Sequence, residues 1–405
     1  MTKLPPNVDF LTDKDLSLEI LLDNICQQLQ LDPTREKLMK KAYETVSSII
    51  DADKSFFGLL DPSIYVYGSK AIGTTTKPIG RDEFDLDFVI KVSCDWSRIS
   101  VDDFLEKLYN LLNSDGRYKG KVEQLRFCVR INYKSDFHMD IMPGCELPDK
   151  KEKLRIPDTK LRMWPIRNPK GYISWFESKY LLDNSLIKLH DYYKHLNEID
   201  AKAEVEDMPT TLNYLSIQPL QRAVQLIKRY RDIYFENDKD HATSSVILTT
   251  IAGMFYEGEQ SIVDTIDGIL NRVSNLIDQT GVSQPIEIIN PADIRENEND
   301  KERFSDKWKE GEKGKRRYKA FVEFIKDFHS NWVKLRRTET KPHHIIGALF
   351  GETVTEESFE NQVRLVGNWR KKDSLFAGST GVLSMHSESA KKIPKTTIHG
   401  THSKG

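Results

Sequence analysis

The 405-residue chain is short of several things, and each shortage removes a class of function. It has only four cysteines, Cys26, Cys94, Cys128 and Cys145, scattered with no CxxC pair. That usage predicts reduced thiols, not a disulfide framework or a zinc site. No apolar run approaches the ~20 residues of a membrane span, and the opening "MTKLPPNVDFLTDKD" has no apolar signal core. A protein of the cytoplasm is expected. Charge of one sign is also missing: 60 Lys and Arg stand against 62 Asp and Glu, for a net charge of −2. No global basic field advertises nucleic-acid binding. Internal repeats are absent.

What is present suits two packed domains. Apolar residues recur at helical spacing over 16–50, with Pro33 marking a break or a new first turn. Residues 64–67 read as a short strand turning at Gly68-Ser69. "FDLDFVIKV" (84–92) is β-branched and aromatic, hence a strand, and "VDDFLEKLYNLLNS" (101–114) is an amphipathic helix. "VEQLRFCVRINY" (122–133) and "FHMDIMPG" (137–144) read as two further strands, the second ended by Pro143-Gly144. Residues 151–172 look like loop. From 173 to about 350 helical periodicity dominates, interrupted at 290–316 by a charged stretch expected on the surface. Residues 384–405 have no core-forming pattern and read as a disordered tail.

The acids of "GRDEFDLDFVI" carry the chemistry. Side chains alternate along a strand, so Asp85 and Asp87 project from one side about 6.5–7 Å apart, while Phe84, Leu86 and Phe88 point into the core. Like charges so placed repel and, without a cation, titrate at raised pKa. A divalent metal relieves this; Mg²⁺ favours a few carboxylates together with substrate phosphate oxygens. Asp140, in "HMDIMPG", also sits between apolar residues. If its strand lies beside the first, three carboxylates converge. That number can hold two metals roughly 4 Å apart. A bare D-x-D could instead line a solvated edge strand. Gly68-Ser69, on a strand-to-helix turn able to cradle phosphates, argues for the site. Asp82 and Glu83 read as solvated neighbours.

Gly68-Ser69, Asp85-x-Asp87 and Asp140 together resemble the polymerase-β-like nucleotidyltransferase superfamily. Within it the chain resembles the bacterial cGAS/DncV-like nucleotidyltransferases, which make cyclic di- and trinucleotide signals in antiphage defence. "MWPIRNPKGYISWF" (163–176), "LQRAVQLIKRYRDIYF" with "SSVILTTIAGMFY" (220–256) and "NPADIRENENDKERFSDKW" (290–308) share in that similarity, which spans roughly residues 60–310. The resemblance implies an α+β fold: a nucleotidyltransferase lobe with a mixed sheet, a mainly helical second lobe, and an active site in the cleft between them. It implies boundaries near 1–200, with the N-terminal helices in the first lobe, and 201–383, with a tail at 384–405. It implies Asp85, Asp87 and Asp140 as ligands of two Mg²⁺ or Mn²⁺ ions, Asp140 also serving the attacking ribose hydroxyl. Gly68 and Ser69 would bind the donor triphosphate. Lys228 would reach phosphate oxygens, and Ser245, or Ser244 if the register differs by one, would contact the same nucleotide. From helical facing alone Lys228 could equally be exposed, with Arg229 and Arg231 nearby.

The implied substrates are NTPs, ATP among them, and the implied product is read by a separate effector protein. No zinc-binding insertion or basic stripe is visible, so no obligatory nucleic-acid activator is expected. Some systems of the resembled family encode a ubiquitin-transfer-like partner, and Gly405 would offer it an unhindered C-terminal carboxylate. Two other functions fit less well. Nucleotidyl transfer to an RNA end or protein side chain would need a surface for a large acceptor. A catalytically silent nucleotide-binding scaffold would have no reason to keep three mutually repelling acids.

Other features have bland explanations. The basic run at 307–321 reads as a solvated face. His343-His344, without a third ligand, reads as a loop or helix start. Trp164 and Tyr172 could stack a base or cover the loop between them.

Overall fold

The computed structural model describes residues 13–79, 84–133, 137–180, 204–205, 217–281, 284–337, 342–371, 376–377, 383–384 and 391–392. Asp82, Glu83 and Gly405 fall outside this set.

Helices α1 (Asp13–Gln28) and α2 (Pro33–Asp51) flank Pro33. Asp32 caps α2 by accepting from the N–H groups of Thr34 and Arg35, each at 3.0 Å, and Pro33 sits where an N–H has no partner to lose. Strand β1 (Ser63–Tyr67) feeds the one-turn helix α3 (Gly68–Ala71). Then come β2 (Phe84–Val92), α4 (Val101–Ser114), β3 (Val122–Gln124), β4 (Val129–Tyr133), β5 (Phe137–Leu147), β6 (Lys150–Arg155), β7 (Ile166–Arg167), α5 (Pro169–Tyr180) and β8 (Glu204–Val205).

The eight strands form one mixed sheet in the order β3-β4-β5-β2-β1-β8, with β6 and β7 extending from β5. β2 and β5 run parallel, and β1 and β4 flank them antiparallel. Alternation sorts the two faces. Leu86, Phe88, Ile90, Ile131, Met139 and Ile141 are fully buried in a core shared with α2 and α4. The opposite face carries a small cluster of Tyr65, Val89, Met142, Leu154 and Ile156, and the acids. The mixed sheet with its many helices is the expected α+β architecture.

The second lobe comprises α6 (Pro219–Tyr234), α7 (Ser245–Phe255), α8 (Ile262–Thr280), α9 (Gly311–Arg337), α10 (Pro342–Phe350) and α11 (Glu352–Lys371). Its core contains Leu21, Leu22, Ile25 and Leu29. Helix α1 therefore packs with the helical lobe, although it was expected with the first.

Several expectations need correction. The strand expected over 122–133 is two strands, β3 and β4. Strand β5 does not end at Pro143-Gly144 but continues to Leu147. Pairing with β4 stops at Ile141 and pairing with β6 begins at Cys145, so Pro143 falls where that side of the strand has no ladder bond for its missing N–H. A Cβ on Gly144 would come within 2.5 Å of Ile156 Cδ1, so the glycine permits close packing. The loop expected over 151–172 contains β6, β7 and the start of α5. In the supposed surface stretch after 290, Asn290 and Asp293 are completely buried, because their polar groups find partners inside. Cys94 and Cys145 are joined as a disulfide, contrary to the expectation of reduced thiols. Cys145 pairs in register with Val92, so the parallel ends of β2 and β5 bring the two sulfurs together. In the supposed disordered tail, β11 (Lys391–Lys392) and the nearby β10 (Leu383–Ser384) pair with β9 (Phe376–Ala377), so backbone pairing orders part of it without an apolar pattern.

Trp164 is buried edge-on against Phe104, and the Tyr172 hydroxyl lies 3.1 Å from Thr250 Oγ1. Both cover the core instead of offering a stacking face. His343-His344 lies at the start of α10.

Candidate active site

Register builds the site. Tyr67 on β1 pairs with Asp87 on β2, Asp87 with Asp140 on β5, and Asp140 with Arg130 on β4. Asp85, two residues before Asp87, projects from the same face and pairs with His138. The sheet thus brings Asp85, Asp87 and Asp140 together, as the D-x-D spacing and the apolar setting of Asp140 predict.

Gly68 closes one side of the cluster. Its φ is +68°, and a Cβ there would lie 2.5 Å from Asp87 Oδ2. Only glycine lets the turn pass this close to the carboxylate. Ser69 follows in the first turn of α3, its Oγ 3.2 Å from Thr75 Oγ1.

The electrostatics are unbalanced. Burial, then the charges of Asp85 and Asp140, push the Asp87 pKa up to about 8. Asp85 is also raised, first by desolvation and then by Asp140, with Arg130 opposing. Burial and the adjacent Asp87 charge raise the Tyr67 phenol as well.

Helix α6 supplies the far wall. Gln221, Gln225 and Lys228 lie on one helical stripe. Gln221 Nε2 donates to Ile72 O at 2.9 Å, Gln225 Nε2 to Thr75 O at 3.0 Å, and Lys228 Nζ to Thr74 O at 2.9 Å. The stripe clasps the loop that follows Gly68-Ser69. Thr74 Oγ1 is buried there without a hydrogen-bond partner among the described residues. Lys228 is buried, not exposed, and burial followed by the Arg231 charge lowers its pKa to about 8. Arg229 points elsewhere and donates from Nε to Phe350 O at the end of α10. Ser245 is the first residue of α7, and its Oγ accepts from Arg231 Nη1 at 2.7 Å. Ser244 is the N-cap and makes no side-chain capping bond.

The donor set is all hard oxygen, and burial beside two other carboxylates raises the Asp87 pKa. Among the described residues no three acidic, histidine or cysteine side chains are grouped so that they could hold a metal ion by themselves. Arg130 already grips both oxygens of Asp140, with Nε at 2.6 Å from Oδ1 and Nη2 at 2.8 Å from Oδ2. This fits an Mg²⁺-like ion completed by phosphate oxygens better than a protein-only cage.

Motif spacing assigns no role to Arg130, Gln221, Gln225 or Thr74. A signal for Arg130 existed: in "VRINY" it alternates with buried Val129 and Ile131, which puts it on the face of the acids.

A mixed sheet carrying a Gly-Ser turn and three acids on adjacent strands defines a polymerase-β-like nucleotidyltransferase. The chain belongs, more narrowly, to the bacterial cGAS/DncV-like nucleotidyltransferases. The family model for the Second Messenger Oligonucleotide or Dinucleotide Synthetase domain matches residues 17–179. A c-di-GMP synthase of Roseivirga ehrenbergii is 34% identical over 370 residues, covering 90% of this chain and 92% of that protein. The cyclic dinucleotide synthase CdnG of Bradyrhizobium diazoefficiens is 26% identical over 305 residues, 73% of this chain and 71% of that one. The structure of the Bradyrhizobium diazoefficiens CdnG in complex with GTP superposes with a TM-score of 0.67 at 22% identity, covering 86% and 99% of the two chains. The similarity of that structure bears on the fold.

Proposed function

We propose that this chain joins NTPs, without a primer, into a cyclic di- or trinucleotide second messenger, releasing pyrophosphate at each bond, in bacterial antiphage defence. The relative named a c-di-GMP synthase makes GTP the first substrate to test, alongside ATP. The observation that carries the reading is the register Asp87–Asp140 across parallel strands, with Gly68 pressed against Asp87.

In this reading Asp85, Asp87 and Asp140, together with substrate phosphate oxygens, would hold two divalent cations. Bound there, the ions would neutralise phosphate charge and make the ribose hydroxyl acidic. Asp140 orients the attacking hydroxyl. The backbone around Gly68-Ser69 and the Ser69 hydroxyl hold the donor triphosphate. Lys228, already against the same loop, pairs with phosphate oxygens. Ser245, held by Arg231, contacts the same nucleotide.

The test is a mass spectrum of the products formed from all four NTPs with Mg²⁺ or Mn²⁺ and no primer. A cyclic oligonucleotide and pyrophosphate are expected. Extension only of an added RNA or protein acceptor, or nucleotide binding with no pyrophosphate, would overturn the reading.

A further inference from the structure

Of the cations that act on the acids, Arg130 and Lys228, Arg130 is the one in direct contact with a carboxylate. Arg130 holds Asp140 with a two-point fork, and its Nη2 also stands 3.6 Å from Asp85 Oδ1. Backbone pairing places it there: Arg130 and Asp140 are register partners on β4 and β5, as Asp140 and Asp87 are on β5 and β2. A bidentate guanidinium–carboxylate pair is among the stronger and more directional polar contacts. The fork is partly buried, with side-chain exposures of 25% for Arg130 and 16% for Asp140.

We propose that Arg130 is a positioning residue that acts as the resident counter-cation of the catalytic acids and makes metal loading depend on nucleotide. Before substrate arrives, the fork fixes the Asp140 carboxylate and offsets part of the cluster's negative charge. A divalent ion entering alone meets this positive charge and finds Asp140 engaged at both oxygens. A triphosphate carries its own negative charge and phosphate oxygens, so the ion that comes with it is compensated from the open side. Metal and nucleotide therefore load together. The inference rests on the metal-dependent reading above.

Direct Mn²⁺ binding, read from the electron-spin signal of the free ion, tests it without turnover. In the absence of nucleotide, Arg130→Gln is expected to bind Mn²⁺ at least about tenfold more tightly than wild type, the scale of one charge acting through a partly aqueous cleft. Arg130→Lys keeps the charge and is expected within about threefold of wild type. In the unaltered protein a non-hydrolysable NTP analogue is expected to raise Mn²⁺ affinity at least about tenfold, a measurement that needs no variant to fold. Unchanged or weaker Mn²⁺ binding in Arg130→Gln, or no gain with the analogue, overturns the role of Arg130. Adding Asp87→Asn to Arg130→Gln separates the two claims. If Mn²⁺ binding is lost with Asp87, the ion sits at the acids, and a failed Arg130 prediction leaves the metal reading standing. If Mn²⁺ binding ignores Asp87, both fail.

Discussion

Two polar clusters are built into this molecule, and they are resolved differently. In one, Asp293 is fully buried, forms an ion pair with Lys153 Nζ at 2.8 Å, and accepts from Asn168 Nδ2 at 2.9 Å and the Glu302 N–H at 3.1 Å. Glu302 in turn accepts from the Asn168 N–H, from Asn290 Nδ2 and from Arg167. The buried carboxylates are paired with cations and amide donors, and the cluster ties β6, β7 and α5 to the segment after Asn290. In the other, Asp85, Asp87 and Asp140 share Arg130, and Asp87 is left with its pKa near 8. A buried polar network with every partner present fastens structure, whereas one with too few is held for something not yet bound. Breaking each cluster should therefore give opposite results.

Asp87→Asn should show the larger contrast. If Asp87 holds metal as proposed, several kcal/mol of transition-state charge stabilisation would pass through this carboxylate, and turnover is expected to fall by about a thousandfold or more. The fold should not suffer. An ordinary aspartate titrates near 4 when unfolded, while folded Asp87 holds its proton to about 8. Folding then takes up a proton in that window, and the stability this group contributes is lost as pH rises from about 4 to about 8. Glu19, raised to about 7 mainly by burial, adds a slope of the same sign. The informative quantity is thus the difference: melting temperature against pH should fall less steeply in Asp87→Asn than in wild type. Equal slopes and undiminished turnover would remove Asp87 from the site.

Asp293→Ala should do the reverse. It strands Lys153, only 4% exposed, without its closest carboxylate. Loss of one partner of a buried pair costs about 3–5 kcal/mol, to be read from denaturant unfolding. Below its lowered melting point the variant should retain turnover within a few-fold. A stable but inactive Asp293→Ala protein would show that the matched cluster also serves chemistry.

These two clusters also mark how far the sequence was legible. The acids of the site were readable because strand alternation is local: Asp85 and Asp87 declare a common face, and Asp140 repeats their apolar setting. Alternation puts Arg130 on a face of its strand, but nothing local says that β4 lies beside β5 with Arg130 in register with Asp140. The second cluster was misread for the same reason. Asn290, Asp293 and Glu302 look solvated in a polar stretch, and the residues that bury them, Lys153 and Asn168, lie more than a hundred positions away. The disulfide between Cys94 and Cys145 depends likewise on β2 and β5 being parallel neighbours, which the spacing of the cysteines does not reveal.

Lys228→Ala should be milder. The ammonium is buried against Thr74 O, and its charged contacts to phosphate are worth about 1.5–3 kcal/mol, or roughly ten- to a hundredfold in NTP affinity by calorimetry. The folded pKa of about 8 adds a signature. Phosphate binding favours the charged form, so wild-type affinity should decline as pH rises above about 8, and Lys228→Ala should lack that decline. Unaltered affinity would move the clamp to Arg231, since Arg229 is committed to Phe350 O.

The smallest effect is expected at Ser245. Its Oγ already accepts from Arg231 Nη1 at 2.7 Å, so its remaining contribution to a nucleotide is one donated hydrogen bond. A neutral hydrogen bond is worth about 0.5–1.5 kcal/mol net, so Ser245→Ala should weaken NTP binding only about two- to tenfold. Arg231 would keep Asp232 and the more distant Thr243 O, so the fold should hold. Ser244→Ala is the matched control: that serine is the N-cap of α7 but makes no side-chain cap bond. It should change neither affinity nor stability appreciably. The pair decides the helix register left open by the serine doublet. If Ser244→Ala weakened binding and Ser245→Ala did not, Ser244 would be the nucleotide contact. If Ser245→Ala cost more than Lys228→Ala, the Arg231–Ser245 pair, and not the buried lysine, would be the main phosphate anchor of the helical lobe.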